Sequence, residues 1–218
     1  MAAAGDSGVS RKVTSSAIAQ AIEEAGLEAL SPDALAKFET YLALLLKWNT
    51  RLNLTAVREP VLIIRRHFIE SIQCAQALPE LDTGSTLLDF GSGAGLPGIP
   101  IAICRPEIRV ILAESQRKKA AFLQEAVRSL QLNAEIFDGR VEDMTPAQKF
   151  SAVTLRAVDK MAEACKIAMA RVSPGGWIVL FVTKETEIKL KALLPAISWK
   201  QELLTPDLEQ GRLLIGQI

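Results

Sequence analysis

The sequence predicts an α/β fold: a mostly parallel seven-stranded sheet with helices on both faces, preceded by a helical extension. Three observations predict it. From Thr86 onward, short runs rich in Val, Ile and Leu alternate with amphipathic segments of helical period, as in successive β-α units. The first of these units carries a glycine-rich turn between strand and helix. Upstream of it, the apolar residues recur at helical spacing instead. The expected division is a mobile tail over residues 1–12, a helical extension over 13–82 and the α/β domain over 83–218.

In the extension, Ala17, Ile18, Ala21, Ile22 and Ala25 mark a first helix that ends near Gly26. Ser31 reads as an N-cap, Pro32 as the first helical residue and Asp33 as a favourable first-turn charge. Leu35, Phe38, Leu42, Leu45, Trp48 and Leu52 then form one apolar stripe, read as core packing. Residues 49–59 are polar and turn-like. Pro60 opens another helix, with Val61, Ile64, Phe68, Ile69 and Ile72 on its apolar face. Arg65, Arg66 and His67 fall on its other side, with Lys47, Arg51 and Arg58 just upstream.

Leu78 to Ser85 is a linker rich in turn residues. Strands are expected at Thr86–Phe90, Arg109–Ala113, Ala134–Phe137, Phe150–Leu155 and Trp177–Val182, with a final hairpin from Ile197–Leu203 and Leu213–Ile218. Helices are expected over Ile99–Ile103, Gln116–Gln131, Met161–Val172 and Ile188–Leu194, and a turn at Pro174-Gly175-Gly176.

The 218 residues are 49% hydrophobic, enough for a sizeable core. Lys+Arg and Asp+Glu both number 25, so whole-chain charge lends no support to nucleic-acid binding, and such a partner must be met by a local patch. Residues 47–67 supply one. The three cysteines, Cys74, Cys104 and Cys165, are widely spaced among apolar neighbours, which indicates neither a disulfide framework nor a zinc site. With a single histidine, no metal site is expected. The N-terminus lacks the basic start and apolar core of a signal peptide, and no apolar run is long enough to span a bilayer. A reduced, cytoplasmic setting is expected.

Residues 86–98 read T-L-L-D-F-G-S-G-A-G-L-P-G. Glycine permits close approach of backbone to ligand, and the following helix N-terminus presents free N–H groups. The spacing departs from the dinucleotide fingerprint G-x-G-x-x-G: counting from Gly91, the third glycine position holds Leu96, and Gly95 comes one place early. Asp89 stands just before the glycines. A carboxylate there repels a pyrophosphate and suits a cationic ligand such as S-adenosylmethionine, with its ammonium and sulfonium. About twenty residues on, Glu114 ends the second strand, where an acid can accept both ribose hydroxyls.

Several segments carry a more specific resemblance. L-L-L-K-W-N-T-R-L-N-L-T-A-V-R-E-P, R-H-F-I-E-S-I and L-D-F-G-S-G-A-G-L-P-G-I-P-I-A-I-C-R-P-E, followed by A-E-S, K-K-A-A-F-L, G-R-V-E-D and L-R-A-V, resemble the bacterial 16S rRNA guanine-N7 methyltransferase family. The resemblance covers nearly the whole chain from about Leu35. It implies a class I S-adenosylmethionine-dependent methyltransferase fold, Rossmann-like, with S-adenosylmethionine as cofactor and a guanine N7 of 16S rRNA, free or in the small ribosomal subunit, as methyl acceptor. By the same resemblance, the cofactor residues are Gly91, Gly93, Gly95, Leu96, Glu114, the adenine-side pair Val141-Glu142, and Arg156, beside Asp89, which is read from its place before the glycines. Arg156 belongs to an S-R-A motif in which this chain has Leu155 for Ser. Lys184 falls in an L-K-G motif written T-K-E here. Arg156, Lys184, Arg66 and His67 are the residues expected to position substrate. No dedicated catalytic acid or base is expected, because N7 of guanine is a free lone pair.

Three rival readings are a small-molecule methyltransferase, a nicotinamide-dependent oxidoreductase and a non-enzymatic RNA-binding module. The first leaves the basic segment unexplained. Leu96 at the third glycine position disfavours the second, and the intact loop with Asp89 and Glu114 disfavours the third. A monomer is expected.

Overall fold

The β-α alternation places seven strands in one sheet, ordered β3-β2-β1-β4-β5-β7-β6 in the computed structural model, which describes residues 7–158, 160–204 and 211–218. The strands are β1 (Thr86–Phe90), β2 (Arg109–Glu114), β3 (Ala134–Asp138), β4 (Phe150–Arg156), β5 (Val172–Thr183), β6 (Ser198–Leu204) and β7 (Gly211–Gln217). β1 to β5 are mutually parallel, while β7 runs antiparallel to both β5 and β6, closing the expected hairpin. The order reverses between β1 and β4, so the crevice beyond their carboxyl ends is the place for a ligand.

Successive residues of a strand face opposite sides of the sheet. Leu87, Val110, Leu112, Ala152 and Val179 therefore pack into one buried cluster with the N-terminal helices, while Leu88, Ile111, Val153, Ile178 and Leu180 pack into a second. The first side holds α1 (Ser7–Glu24), α2 (Pro32–Asn49), α3 (Pro60–Ile63), α4 (Glu70–Ala77), α5 (Gly98–Cys104) and α6 (Arg117–Leu130). The second holds α7 (Met161–Met169) and α8 (Lys184–Leu193). Phe38, Tyr41, Leu42 and Leu45 on the predicted stripe's helix are buried. Ser31 caps α2 by accepting the Ala34 N–H at 3.2 Å.

Three local expectations change. The helix opened by Pro60 is not uniform: residues Ile64–Ile69 form a π-helical turn between α3 and α4. The helix expected over 161–172 stops at Met169, and the expected turn at 174–176 lies within β5. There the register to β4 shifts between Phe150 and Ala152, which absorbs Ser173 to Gly176 as extra chain. Of the tail expected over residues 1–12, residues 1–6 lie outside the described residues, and α1 runs from Ser7. No helix among the described residues is long and apolar enough to cross a membrane.

Candidate functional site

Beyond the carboxyl ends of β1 and β2, the glycine turn is built from residues that only glycine tolerates easily. Gly91, Gly93 and Gly95 have φ of 71°, 55° and 86°. A Cβ at Gly91 would meet nothing nearer than Val158 Cγ2 at 3.7 Å, so this stretch of backbone fronts open space. The glycine that fits helix to sheet is Gly98, which the dinucleotide spacing does not single out. A Cβ there would come within 2.4 Å of Leu112 Cδ2 and 2.7 Å of Asp89 Oδ2.

Glu114 fastens this loop. One carboxylate oxygen accepts the Gly93 N–H at 2.9 Å, and the other accepts the Gln116 N–H at 2.7 Å. Each oxygen keeps a further lone pair for a hydroxyl donor. Glu114, Phe90, Gly91, Arg140, Val141 and Glu142 line a cleft of about 270 Å³. Val141 is buried and Glu142 exposed, and the short 3-10 turn carrying them is held by Arg171. That buried arginine donates to the carbonyls of Val141 and Met144, both at 2.9 Å, and of Thr145 at 2.7 Å. Sequence patterning gives no sign of it.

Asp89 is placed differently from its reading as a ligand-facing carboxylate. It is 1% exposed, and its oxygens accept from Thr154 Oγ1 at 2.8 Å and from the Gly98 N–H at 3.3 Å. It ties β1 to β4 and to the start of α5. Burial pushes its pKa up to about 6, against hydrogen bonds from Thr154, Ser92 and Gly98 that lower it. Leu96 is half-buried and packs on the core behind the loop.

A second cleft, of about 430 Å³, opens beyond β4 and β5, and Val158 borders both. Its walls include Ala157, Val158, Met161 and Phe181, with Glu70 and Arg156. Arg156 is the hub of a buried network. It donates to Glu70, to Ser71 Oγ at 3.2 Å, to the Arg66 carbonyl at 3.1 Å and to His67 Nδ1 at 3.1 Å. Its guanidinium lies 5.1 Å over the Phe181 ring.

The arginine fixes the histidine tautomer. Arginine can only donate, so Nδ1 is the acceptor and the proton is on Nε2, which donates to Thr55 Oγ1 at 2.8 Å. Burial, reinforced by Arg156, lowers the His67 pKa to about 4. His67 is thus a neutral, inward-facing link, whereas Arg65 and Arg66 beside it are exposed. Thr55 is placed in turn by Asn49, whose Oδ1 accepts the Leu54 and Thr55 N–H groups at 2.9 and 3.0 Å and whose Nδ2 donates to the Thr55 carbonyl at 3.0 Å. The N-x-x-L-N-L-T and R-H-F-I-E-S segments therefore meet at Arg156. Lys184 opens α8 and is exposed; its neighbours Thr183 and Thr186, rather than Lys184, line the cleft.

Sequence reasoning does not single out Glu70, Ser71 or Tyr41. The signal for Glu70 is an acid inside the apolar run F-I-E-S-I. Tyr41 has none beyond its place on a core helix, yet its buried hydroxyl donates to the Ala94 carbonyl of the glycine turn at 2.6 Å.

The first cleft fits S-adenosylmethionine. Open backbone at Gly91 and Gly93, a carboxylate with lone pairs to spare and the apolar side chains of Phe90, Val141 and Val158 suit its nucleoside. Sheet order and cleft together define a class I S-adenosylmethionine-dependent methyltransferase fold. The tRNA (m1A58) methyltransferase TrmI from Aquifex aeolicus shares it, with a TM-score of 0.56 over 68% of this chain and 67% of that one, at 16% sequence identity. Residues 34–214 match the family described as rRNA small subunit methyltransferase G. Relatives bearing that description are 40% identical in Xanthomonas euvesicatoria, over 88% of this chain and 91% of the relative, and 33% identical in Lachnoclostridium phytofermentans, over 90% and 85%. The chain belongs to the rRNA small subunit methyltransferase G family.

Proposed function

We propose that this protein transfers a methyl group from S-adenosylmethionine to N7 of a guanine in small-subunit (16S) rRNA. The observation that carries the reading is the meeting of two clefts at Val158: a nucleoside-type cleft beside Glu114, and an apolar cleft whose charged groups are engaged with one another. Family membership supports rRNA as the acceptor.

S-adenosylmethionine supplies an electrophilic methyl carbon bonded to a positively charged sulfur. What the protein adds is alignment, since the N7 lone pair can attack without prior loss of a proton. Glu114 accepts the ribose hydroxyls, Gly91 and Gly93 let the backbone approach the tail, and Val141 and Glu142 border the adenine. Asp89 acts from behind the loop, as the brace that fixes β1, β4 and α5. Arg156 orients the guanine, and the His67–Thr55–Asn49 chain holds Arg156 steady. No general base is needed, which agrees with a histidine that is neutral and hydrogen-bonded at both nitrogens.

RNA phosphates meet Arg51, Arg58, Arg66 and Lys184. These residues are exposed, and none is ion-paired among the described residues. The protein works as a monomer in the cytoplasm, where ribosomal subunits are made. The helical extension over 13–82 then supplies Arg51, Arg58 and Arg66 to the RNA, while the methyltransferase domain over 83–218 supplies Lys184, Arg156 and the cofactor cleft. Incubation with labelled S-adenosylmethionine and either small subunits or free 16S rRNA, both lacking the modification, tests the proposal. Label is expected at guanine N7 in at least one of the two; label in neither contradicts it.

A further inference from the structure

The methyl transfer moves a positive charge. The N7 lone pair forms the new N–CH3 bond, and the S–CH3 bond breaks with its electron pair going to sulfur. No proton moves. The sulfonium charge is lost and the purine ring becomes a cation, so a cation fixed in the acceptor cleft opposes the reaction more as it proceeds.

The acceptor cleft nevertheless has two arginines in its wall, Arg156 and Arg212. Both are paired. Arg156, 13% exposed, is bound to Glu70, which is 2% exposed and also lines the cleft. Arg212 Nε lies 3.8 Å from Glu187 Oε2. Glu70 comes from the start of α4, directly after the π-helical turn that brings the Arg66 carbonyl and His67 to the same guanidinium. A neutral acceptor such as the Arg66 carbonyl would suffice to hold Arg156 in place. A carboxylate does more, because it also cancels the charge.

We infer that Glu70 is a positioning residue that acts electrostatically, holding Arg156 against the acceptor cleft while keeping that cleft neutral as the purine becomes cationic. Arg156 can then offer N–H donors to the base without the penalty of an uncompensated cation. This inference rests on the reading of the cleft as the guanine N7 site.

Single-turnover transfer from labelled S-adenosylmethionine to small subunits lacking the modification, at saturating cofactor and subunit, tests it with four proteins: wild type, E70Q, R156Q and E70Q/R156Q. Cofactor affinity and thermal melting are measured for each. E70Q keeps hydrogen-bonding capacity but strands the positive charge, and it is expected to slow transfer roughly a hundredfold with little change in cofactor affinity. The double variant is neutral again and is expected to transfer faster than E70Q. R156Q keeps the carboxylate alone and is expected to transfer at least as fast as the double variant. A merely structural Glu70 predicts that each variant slows transfer only as far as it lowers the melting temperature or the cofactor affinity; that result, or a double variant no faster than E70Q, overturns the inference. If E70Q does not fold, the comparison of R156Q with the double variant decides: a double variant faster than R156Q overturns it. A wild type that places no methyl on N7 instead overturns the reading of the cleft.

Discussion

His67 and Asp89 are both buried titratable groups, and they bias stability in opposite directions. His67 titrates near pH 4 in the fold and near 6.5 when unfolded. Its contribution is whole above pH 6.5 and is lost as pH falls from there towards 4, because the unfolded chain takes up the proton first. Asp89 titrates near 6 in the fold against 3.8 ordinarily, so its contribution is whole below pH 3.8 and is lost as pH rises through 6. Between pH 4 and 6 the two effects oppose each other. Thermal melts from pH 7 to 4 should therefore show a shallower acid loss in H67Q and a steeper one in D89N than in wild type. Both residues are legible in the sequence as noteworthy, but their directions are not. Three consecutive residues, Arg65 to His67, cannot share one helix face, since each step turns about 100°. A strand-end residue such as Asp89 has two faces open to it, and only packing chooses.

Gly98 shows the same limit at the residue scale. Its importance lies in what would touch its Cβ, Leu112 and Asp89, and these are distant in sequence or on another strand. G98A should destabilise the fold by about 1–3 kcal/mol, read as a lower urea midpoint at unchanged slope.

At the scale of elements, α2 is fastened to the glycine turn and to α6. Tyr41 donates to Ala94 and stacks on Phe68 with ring centroids 5.2 Å apart; Trp48 Nε1 donates to Glu125 at 2.9 Å. The N-terminal helices thereby brace the glycine turn from behind. Y41F leaves the Ala94 carbonyl buried without its donor, which should cost about 1–3 kcal/mol of stability and weaken S-adenosylmethionine binding in a titration. Unchanged affinity would show that the loop holds its shape without α2. The strands and helices from Thr86 onward are legible because period and turn chemistry agree there. The π-helical turn and the extra chain in β5 are not, since both are set by tertiary demands: Arg156 claims the Arg66 carbonyl, and β4 register absorbs Ser173 to Gly176.

Across the whole molecule, a formal net charge of zero means that any attraction to RNA depends on local exposed cations rather than on the field of the whole chain. Removing one phosphate contact should weaken binding across sequences and reduce the log–log salt slope by about 0.7–0.9. R51Q and R66Q are each expected to do so, measured as small-subunit binding from low to moderate salt, while K37Q should not, since Lys37 is paired with Asp33 on α2. The nucleoside-type cleft can be read from the glycine turn and Glu114. The second cleft cannot, because Glu70 and Arg156 in its wall, with His67, Thr55 and Asn49 linked behind them, are brought together only by the fold, and their segments point to a family before they point to a geometry.

The reading of the second cleft turns on the methyl acceptor being a guanine N7 in small-subunit rRNA. Mass spectrometry of nuclease-digested 16S rRNA, from cells with and without this protein, tests that identity most directly. One N7-methylguanine is expected to vanish when the protein is absent and to return when it is supplied again. An unchanged set of N7-methylguanines would contradict it.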